Sequence, residues 1–226
     1  MKYGHVLFIA VISAMAGYSC RERGGKFIDQ GEIHYSIEYI GNFGVPKEFL
    51  PKSLVISFKH DKILYDMSGI ANSGIFNLTN PEKGIYDTYF SVPPVRFYYA
   101  GAPGELNPGF SSMDGMVLKK TSKTAVVCGY NCKNAEVSFP ASGDSVYNIW
   151  YTNEIKVKDP NASTPFNGID GVLMNFFFFI GESEMRFTAE GVFPKKMSED
   201  TFERKAKFIR ISREDITRLI NKLGNI

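Results

Sequence analysis

Few side chains in this 226-residue sequence combine the type and spacing that chemistry needs. Of three histidines, His5 lies in an apolar leader. Neither His34 nor His60 has a second ligand at the short spacing of a zinc site, where three or four His, Cys or carboxylate groups converge. His34 falls on the polar side of an alternating segment and His60 in the charged turn Lys59-His60-Asp61-Lys62, so both read as solvent-facing and no metal or other cofactor is expected. Serines are plentiful, but neither a G-x-S-x-G elbow nor an S-x-x-K set stands in a suitable context. The acidic pairs Glu182 with Glu184 and Glu199 with Asp200 read as solvated turn charge rather than a glycosidase pair. Cys128 and Cys132 in Cys128-Gly129-Tyr130-Asn131-Cys132 could form a disulfide or remain buried thiols. In extended chain they would lie roughly 13 Å apart, and a disulfide needs Cα atoms within about 7 Å, so bonding would require a turn or bulge at Gly129 and Asn131. No catalytic constellation emerges, and the chain reads as a non-enzyme.

Cys20 stands in a more informative setting. Lys2 and His5 give a short polar start, residues 6–16 are apolar without a charge, and Gly17-Tyr18-Ser19-Cys20 closes the run ahead of Arg21-Glu22-Arg23. That run is too short to span a bilayer, and no later segment reaches the roughly 18 apolar residues a span needs. Small Ser19 before Cys20 resembles a lipobox, although Tyr18 stands where a small residue is usual. The resemblance implies that Cys20 is diacylated and becomes the N-terminus of a bacterial cell-envelope lipoprotein held to the membrane. At about 0.8 kcal/mol per buried methylene, several chains together make a stable anchor. The other reading is an ordinary secretory signal cleaved near Ala16 or Ser19, which also exports the chain. The net charge of +2 loses one positive unit with Lys2, and basic and acidic residues interleave, so nucleic acid is not an expected partner.

The elements that must position these residues are strands. Ile33, Tyr35, Ile37 and Tyr39 alternate with polar residues, as do Leu54, Ile56 and Phe58, then Ile63, Tyr65 and Met67 across a hairpin turn. Residues 74–78 and 85–92 flank an Asn80-Pro81-Glu82-Lys83-Gly84 turn. Strands resume at 117–119, 125–128, 135–139 and 146–151, with Ser142-Gly143-Asp144 as a turn, and end with 172–180 and 185–193. Residues 100–115 are dense in Gly, Pro and Ser, which predicts a long loop lying over the sheet as a lid. Four consecutive phenylalanines, Phe176 to Phe179, require cover on both faces of their strand. Ser212 should cap a terminal helix bearing Ile216, Leu219, Ile220 and Leu223 as its apolar stripe. The organisation expected is a signal segment at 1–20, a tether at 21–30 and one antiparallel β domain at 31–226.

Aromatic residues make up 14% of the chain, more than one sheet and one short helix would be expected to bury. A Phe-rich core is one explanation; the other is an apolar cavity under the 100–115 loop, with Tyr89, Phe97, Tyr99, Trp150, Phe177 and Phe179 as its expected lining. The segments Gly31-Glu32-Ile33-His34-Tyr35, Leu50-Pro51-Lys52-Ser53, Gly129-Tyr130-Asn131-Cys132-Lys133-Asn134-Ala135 and Ile149-Trp150-Tyr151-Thr152-Asn153-Glu154-Ile155 resemble an uncharacterised bacterial lipoprotein family, domain of unknown function 4412. That resemblance implies a curved antiparallel half-barrel like that of the periplasmic lipoprotein carriers, closed by a C-terminal amphipathic helix. It implies a lipid or acyl chain as ligand, and supplies no catalytic residues. The rival is a fully packed interaction module contacting an envelope protein partner. Metabolic labelling with a fatty-acid analogue should mark the wild type and fail to mark Cys20→Ala; equal labelling would show that Cys20 is not acylated.

Overall fold

The computed structural model describes residues 27–222 except 45, 142 and 144, and it leaves out the side chain of Ala71. Cys20, the signal segment, most of the expected tether, two residues of the Ser142-Gly143-Asp144 turn and Leu223 lie outside the described residues.

The period-two segments form one sheet of twelve strands. They are β1 (Gln30–Ile40), β2 (Ser53–Lys59), β3 (Lys62–Ser68), β4 (Gly74–Asn80), β5 (Ile85–Val92), β6 (Val95–Ala100), β7 (Val117–Val127), β8 (Tyr130–Ser138), β9 (Val146–Thr152), β10 (Val172–Ile180), β11 (Ser183–Pro194) and β12 (Ile209–Arg210). Their order is β12-β6-β5-β4-β3-β2-β1-β11-β10-β9-β8-β7, antiparallel throughout except for the short parallel pairing of β12 with β6. The sheet is curved and does not close. One α-helix, α1 (Arg213–Asn221), follows it among the described residues. This is the mainly β antiparallel sheet with a C-terminal helix that the patterning predicts, and its curvature is what the resemblance implies. Three details differ. The segments expected at 117–119 and 125–128 are one strand, β7, whose register against β8 shifts between Lys120 and Thr124. Beyond Val92-Pro93-Pro94 the chain resumes as β6, and β12 carries too few residues to show a period.

Both faces of the sheet are covered, by different pieces of chain. From β2 to β6 the register puts Ile56, Tyr65, Asn77, Thr88 and Tyr99 side by side on the inner face. The larger core lies there, completed by Phe110 and Met113 of the 101–116 loop, Phe166 and Ile169 of the β9–β10 connection, and Ile216 and Ile220 of α1. On the outer face Leu64, Leu78 and Tyr89 form a second cluster under Met197, Phe202 and Phe208, from the chain that follows β11.

This C-terminal segment crosses the outer face, pairs at β12 with edge strand β6, and brings α1 to the inner face. Polar ties fix its path. Asn80 Nδ2 donates to Phe202 O (3.0 Å), and Lys59 and Lys62 both reach the Glu199 carboxylate (2.6 and 2.8 Å). Arg204 grips the fully buried Asp87 side chain through Nε (2.7 Å) and Nη2 (3.1 Å). The crossing also blunts the β6 edge, which would otherwise be open to pairing with another chain.

Ser212 caps α1, its Oγ accepting from the Asp215 N–H at 3.1 Å, and the i, i+4 pair Ile216 and Ile220 is buried while Leu219 is half-buried. Loss of the cap in Ser212→Ala should cost about 1 kcal/mol, and Ile216→Ala about 2–5 kcal/mol. Leu219→Ala should fall below Ile216→Ala in urea denaturation; the reverse order would place the helix in a different rotation on the sheet.

Candidate functional site: the covered inner face

The site begins with the four phenylalanines of β10. Phe176 stacks on Phe187 of β11 (centroids 4.7 Å apart), Phe178 meets the same ring edge-on at 5.6 Å, and Phe110 of the loop packs tilted on Phe178 at 4.6 Å. Phe177 meets Tyr147 of β9 at 4.7 Å, and Phe179 meets Tyr147 and Phe139 at 5.5 Å each. Fully buried Phe166 touches Phe176, Phe177 and Phe178. The double cover that the Phe run demands is therefore met by rings.

Pairing between β9 and β10 extends only to Trp150 with Asn175. Beyond it the 101–116 loop enters, and Met113 Sδ accepts the Phe179 N–H at 3.3 Å. Residues 101–116 thus form the lid expected from composition, but one seated in the core rather than arching over a void. Gly109 is required at its place, because φ is +98° and a Cβ there would stand 2.6 Å from Ile220 Cγ2. A polar latch holds the lid. Tyr99 Oη donates to Glu105 Oε1 (2.8 Å), the Ala102 N–H donates to Glu105 Oε2 (2.8 Å), and Arg213 of α1 donates to Glu105 and to Leu106 O (2.8 Å). Burial opposes ionisation of Glu105, but the Tyr99 and Ala102 hydrogen bonds and the Arg213 charge together hold its carboxyl below the usual range.

Under the lid an apolar cavity of about 60 Å³ remains, walled by Leu54, Met67, Ile75, Phe178, Met185 and Ile220 among others. It has room for about two waters at their share of liquid volume. On the far side of Phe110 an open groove of about 230 Å³ runs between lid residues Leu106, Met113 and Met116 and the 164–167 stretch. Phe110 borders both spaces.

The six aromatic residues expected to line a pocket are not brought together. Tyr89 points to the outer face, as its register with Tyr98 requires, where its hydroxyl donates to Asp87 Oδ2 (2.8 Å) and accepts the Lys205 N–H (3.1 Å). Burial pushes its phenol well above the usual range. Phe97 is half-buried between Phe90 and Ile209, Tyr99 belongs to the latch, and Trp150 is half-buried between Asn134 and Asn175. Phe177 and Phe179 pack on Tyr147 and Phe139, away from the cavity. The actual walls are aliphatic residues and methionines together with a different set of rings, Tyr65, Phe110, Phe178 and Phe187, and one amide, Asn77. Strand alternation carried from Leu54, Met67 and Ile75 would have selected the strand-borne ones.

The cysteines also differ from a bonded pair. Cys128 and Gly129, at φ +50° and +80°, form the β7–β8 turn, while Cys132 sits inside β8 opposite Ala125. Each is a thiol directed at a different carbonyl, Cys128 Sγ at Ala189 O (3.2 Å) and Cys132 Sγ at Tyr130 O (3.5 Å). His34 bonds Glu32 at 3.1 Å, and His60 occupies the β2–β3 turn at φ +57°. Among the described residues no group of His, Cys, Asp or Glu is placed to hold a metal, and no helix is long and apolar enough to cross a membrane.

The chain shares its fold with part of PNGF-II. Two crystal forms of that protein match with TM-score 0.51 at 15% and 17% identity, over 85% of this chain and 32% and 33% of PNGF-II. The present chain therefore spans about a third of PNGF-II's length. Looser likenesses are to the lipoprotein LppX of Mycobacterium tuberculosis, with TM-score 0.31 and 10% identity over 75% of this chain and 89% of LppX, and to LprF of Mycobacterium bovis, with TM-score 0.26 and 9% identity over 74% and 88%. No protein-family model and no curated protein matches the chain, so the resemblance to domain of unknown function 4412 gains no support from them.

Burial pushes the Cys132 thiol up to about 11, against a smaller opposing hydrogen bond from the Val127 backbone. It is almost wholly protonated at neutral pH, and the thiolate is the reactive form. Iodoacetamide should therefore modify Cys132 slowly in the folded protein and rapidly in urea. A native mass lower by two hydrogens, with no urea-induced alkylation, would instead show a disulfide.

Proposed function

We propose that this chain is a lipid-anchored envelope protein, held through Cys20, whose inner face takes up one hydrophobic chain when the lid yields. The observation that supports this is the position of Phe110, a single ring between an internal apolar cavity and an open surface groove. The cavity alone is far below the roughly 300–1,000 Å³ of a ligand site, so a ready-made pocket is not the mechanism. Rotation of Phe110 would join cavity and groove into a volume near the lower end of that range. The wall that would move is loop and a nine-residue helix, while the opposite wall is hydrogen-bonded sheet. Burial of ten methylenes is worth about 8 kcal/mol gross, roughly the free energy of micromolar binding before any cost; displaced lid contacts and immobilisation oppose it, so ten methylenes bind more weakly than micromolar and only a longer chain reaches that range.

The packed interaction module remains the second reading, favoured by the mutual packing of the phenylalanines and the small size of the cavity. Titration with a fluorescent fatty acid separates the two. Saturable binding that is tightened by Phe110→Ala, which opens the partition, and abolished by Met67→Glu, which places a charge in the cavity wall, is the expected result. Absence of saturable binding in both the wild type and Phe110→Ala would leave the packed module as the function.

A further inference from the structure

A polar track crosses the inner face and leads from the cavity wall to the latch. Register sets Asn77, Thr88 and Tyr99 side by side on β4, β5 and β6. Asn77 is the amide in the cavity wall, Thr88 is 1% exposed, and Tyr99 belongs to the latch. Thr88 has one hydroxyl proton and two amide oxygens within reach, Asn77 Oδ1 at 2.8 Å and Asn107 Oδ1 at 3.4 Å, so it fully satisfies only one of them. Polar groups on a core-facing row cost stability, and the same row begins with Ile56, so packing alone does not call for them.

The track ends on a carboxylate site that the protein fills itself. Glu105 Oε1 accepts from the Tyr99 hydroxyl and the Arg213 guanidinium, and Oε2 takes the Ala102 N–H. A guanidinium and a hydroxyl converging on one oxygen suit any carboxylate, not only one from the chain. The site stands at the mouth of the open groove, because Arg213 also donates to the carbonyl of Leu106, a groove residue. The other acids of α1 do not compete for Arg213: Glu214 and Asp215 hold Arg218 at 3.0 and 3.4 Å, and Asp215 also accepts from Ser212 Oγ at 2.6 Å. Glu105 itself rides on the lid, one residue before the groove wall. Its pair with Arg213 is partly exposed, and such pairs exchange at little cost.

We infer that the ligand is a long-chain carboxylic acid in its ionised form, with Arg213 and Tyr99 as its head-binding residues, and that Glu105 is a built-in competitor holding their place while the lid is closed. This rests on the uptake of a hydrophobic chain proposed above. A chain seated along cavity and groove displaces the lid segment that follows Glu105 and draws that side chain away from Arg213. An ionised carboxyl head then replaces Glu105 like for like, whereas an uncharged head offers Arg213 nothing in exchange.

The test is equilibrium dialysis of the full-length chain at neutral pH against radiolabelled hexadecanoic acid and, separately, hexadecanol. Glu105→Gln keeps an acceptor for Tyr99 and removes the competing charge. It should tighten binding of the acid by about tenfold or more while changing the alcohol far less. Adding Arg213→Gln should cancel that gain, and Tyr99→Phe should reduce it, with circular dichroism unchanged in each variant. The acid-to-alcohol ratio is the readout because a merely loosened lid admits both ligands alike. Glu105→Gln that shifts acid and alcohol equally, or shifts neither, overturns the inference and leaves chain uptake standing. Absence of saturable binding by either ligand in every variant overturns both.

Discussion

A strand that is apolar on both sides cannot lie at a water-exposed sheet surface, and β10, with Phe176 to Phe179 in its centre, imposes that constraint on this fold. Phe176 and Phe178 require neighbours on one side, Phe177 and Phe179 on the other, and each pair finds rings supplied from different parts of the chain. The lid must enter the core because Phe178 needs Phe110, and the β9 residues before Trp150 must part from β10 to admit Met113. The long irregular β9–β10 connection is likewise fixed by Phe166, which fills the space against the same strand. Much of the irregular structure thus serves to cover one strand.

The outer face poses a smaller version of the same problem and solves it with a different balance of forces. Leu64, Leu78 and Tyr89 gain cover from Met197, Phe202 and Phe208, on a segment with little regular structure of its own. Such a segment gains few backbone hydrogen bonds, so side chains must hold it. The bidentate Arg204–Asp87 pair does this at a buried carboxylate that also receives the Tyr89 hydroxyl. A buried pair of this kind contributes little net stability when intact, because desolvation offsets attraction, yet loss of one partner is severe since it strands the other charge. Its contribution is therefore to specify where the segment lies. That placement carries the chain round the β6 edge and delivers α1 to the lid.

Much of the fold was legible in the sequence because period-two alternation is local. The strands from β1 to β5 with the β2–β3 and β4–β5 hairpins, the C-terminal helix with its Ser212 cap and the irregular loop all follow from residue pattern. What was not legible is which side of the sheet a given aromatic residue faces in the finished molecule. Tyr89 and Tyr99 are both strand-borne and aromatic, but their separation of ten residues crosses the β5–β6 turn, whose register sets Thr88, not Tyr89, beside Tyr99. Sequence composition counted aromatic residues against one thin sheet and one helix. It did not count the outer-face segment or the two loops, which supply their own apolar cover and absorb most of the excess. The expected lining set failed for that reason. The cysteines show the same limit: two positive-φ residues at 128 and 129 fixed a tight turn that left Cys132 in the strand.

The lid's energetics decide what the covered face can do. Its apolar seat is substantial, since Phe110 and Met113 pack in the main core, and its polar attachments are Glu105, shared by Tyr99, Ala102 and Arg213, the Leu106 carbonyl, which accepts from Arg213, and the Asn107 N–H, which donates to Ser163 O at 2.9 Å. Partly exposed ion pairs add little on their own, and the Arg213 and Glu105 side chains are 41% and 28% exposed, so the latch orients the lid more than it bolts it down. A guest chain that replaced the Phe110 contacts would return apolar burial of the same kind and magnitude as it removed. Opening would then be nearly neutral in the presence of ligand and unfavourable without it, as expected of a wall that closes over itself when empty. Arg213 at the start of α1 and Ile220 near its end both touch the lid, so any displacement of the lid backbone beyond rotation of the Phe110 ring would disturb the helix as well.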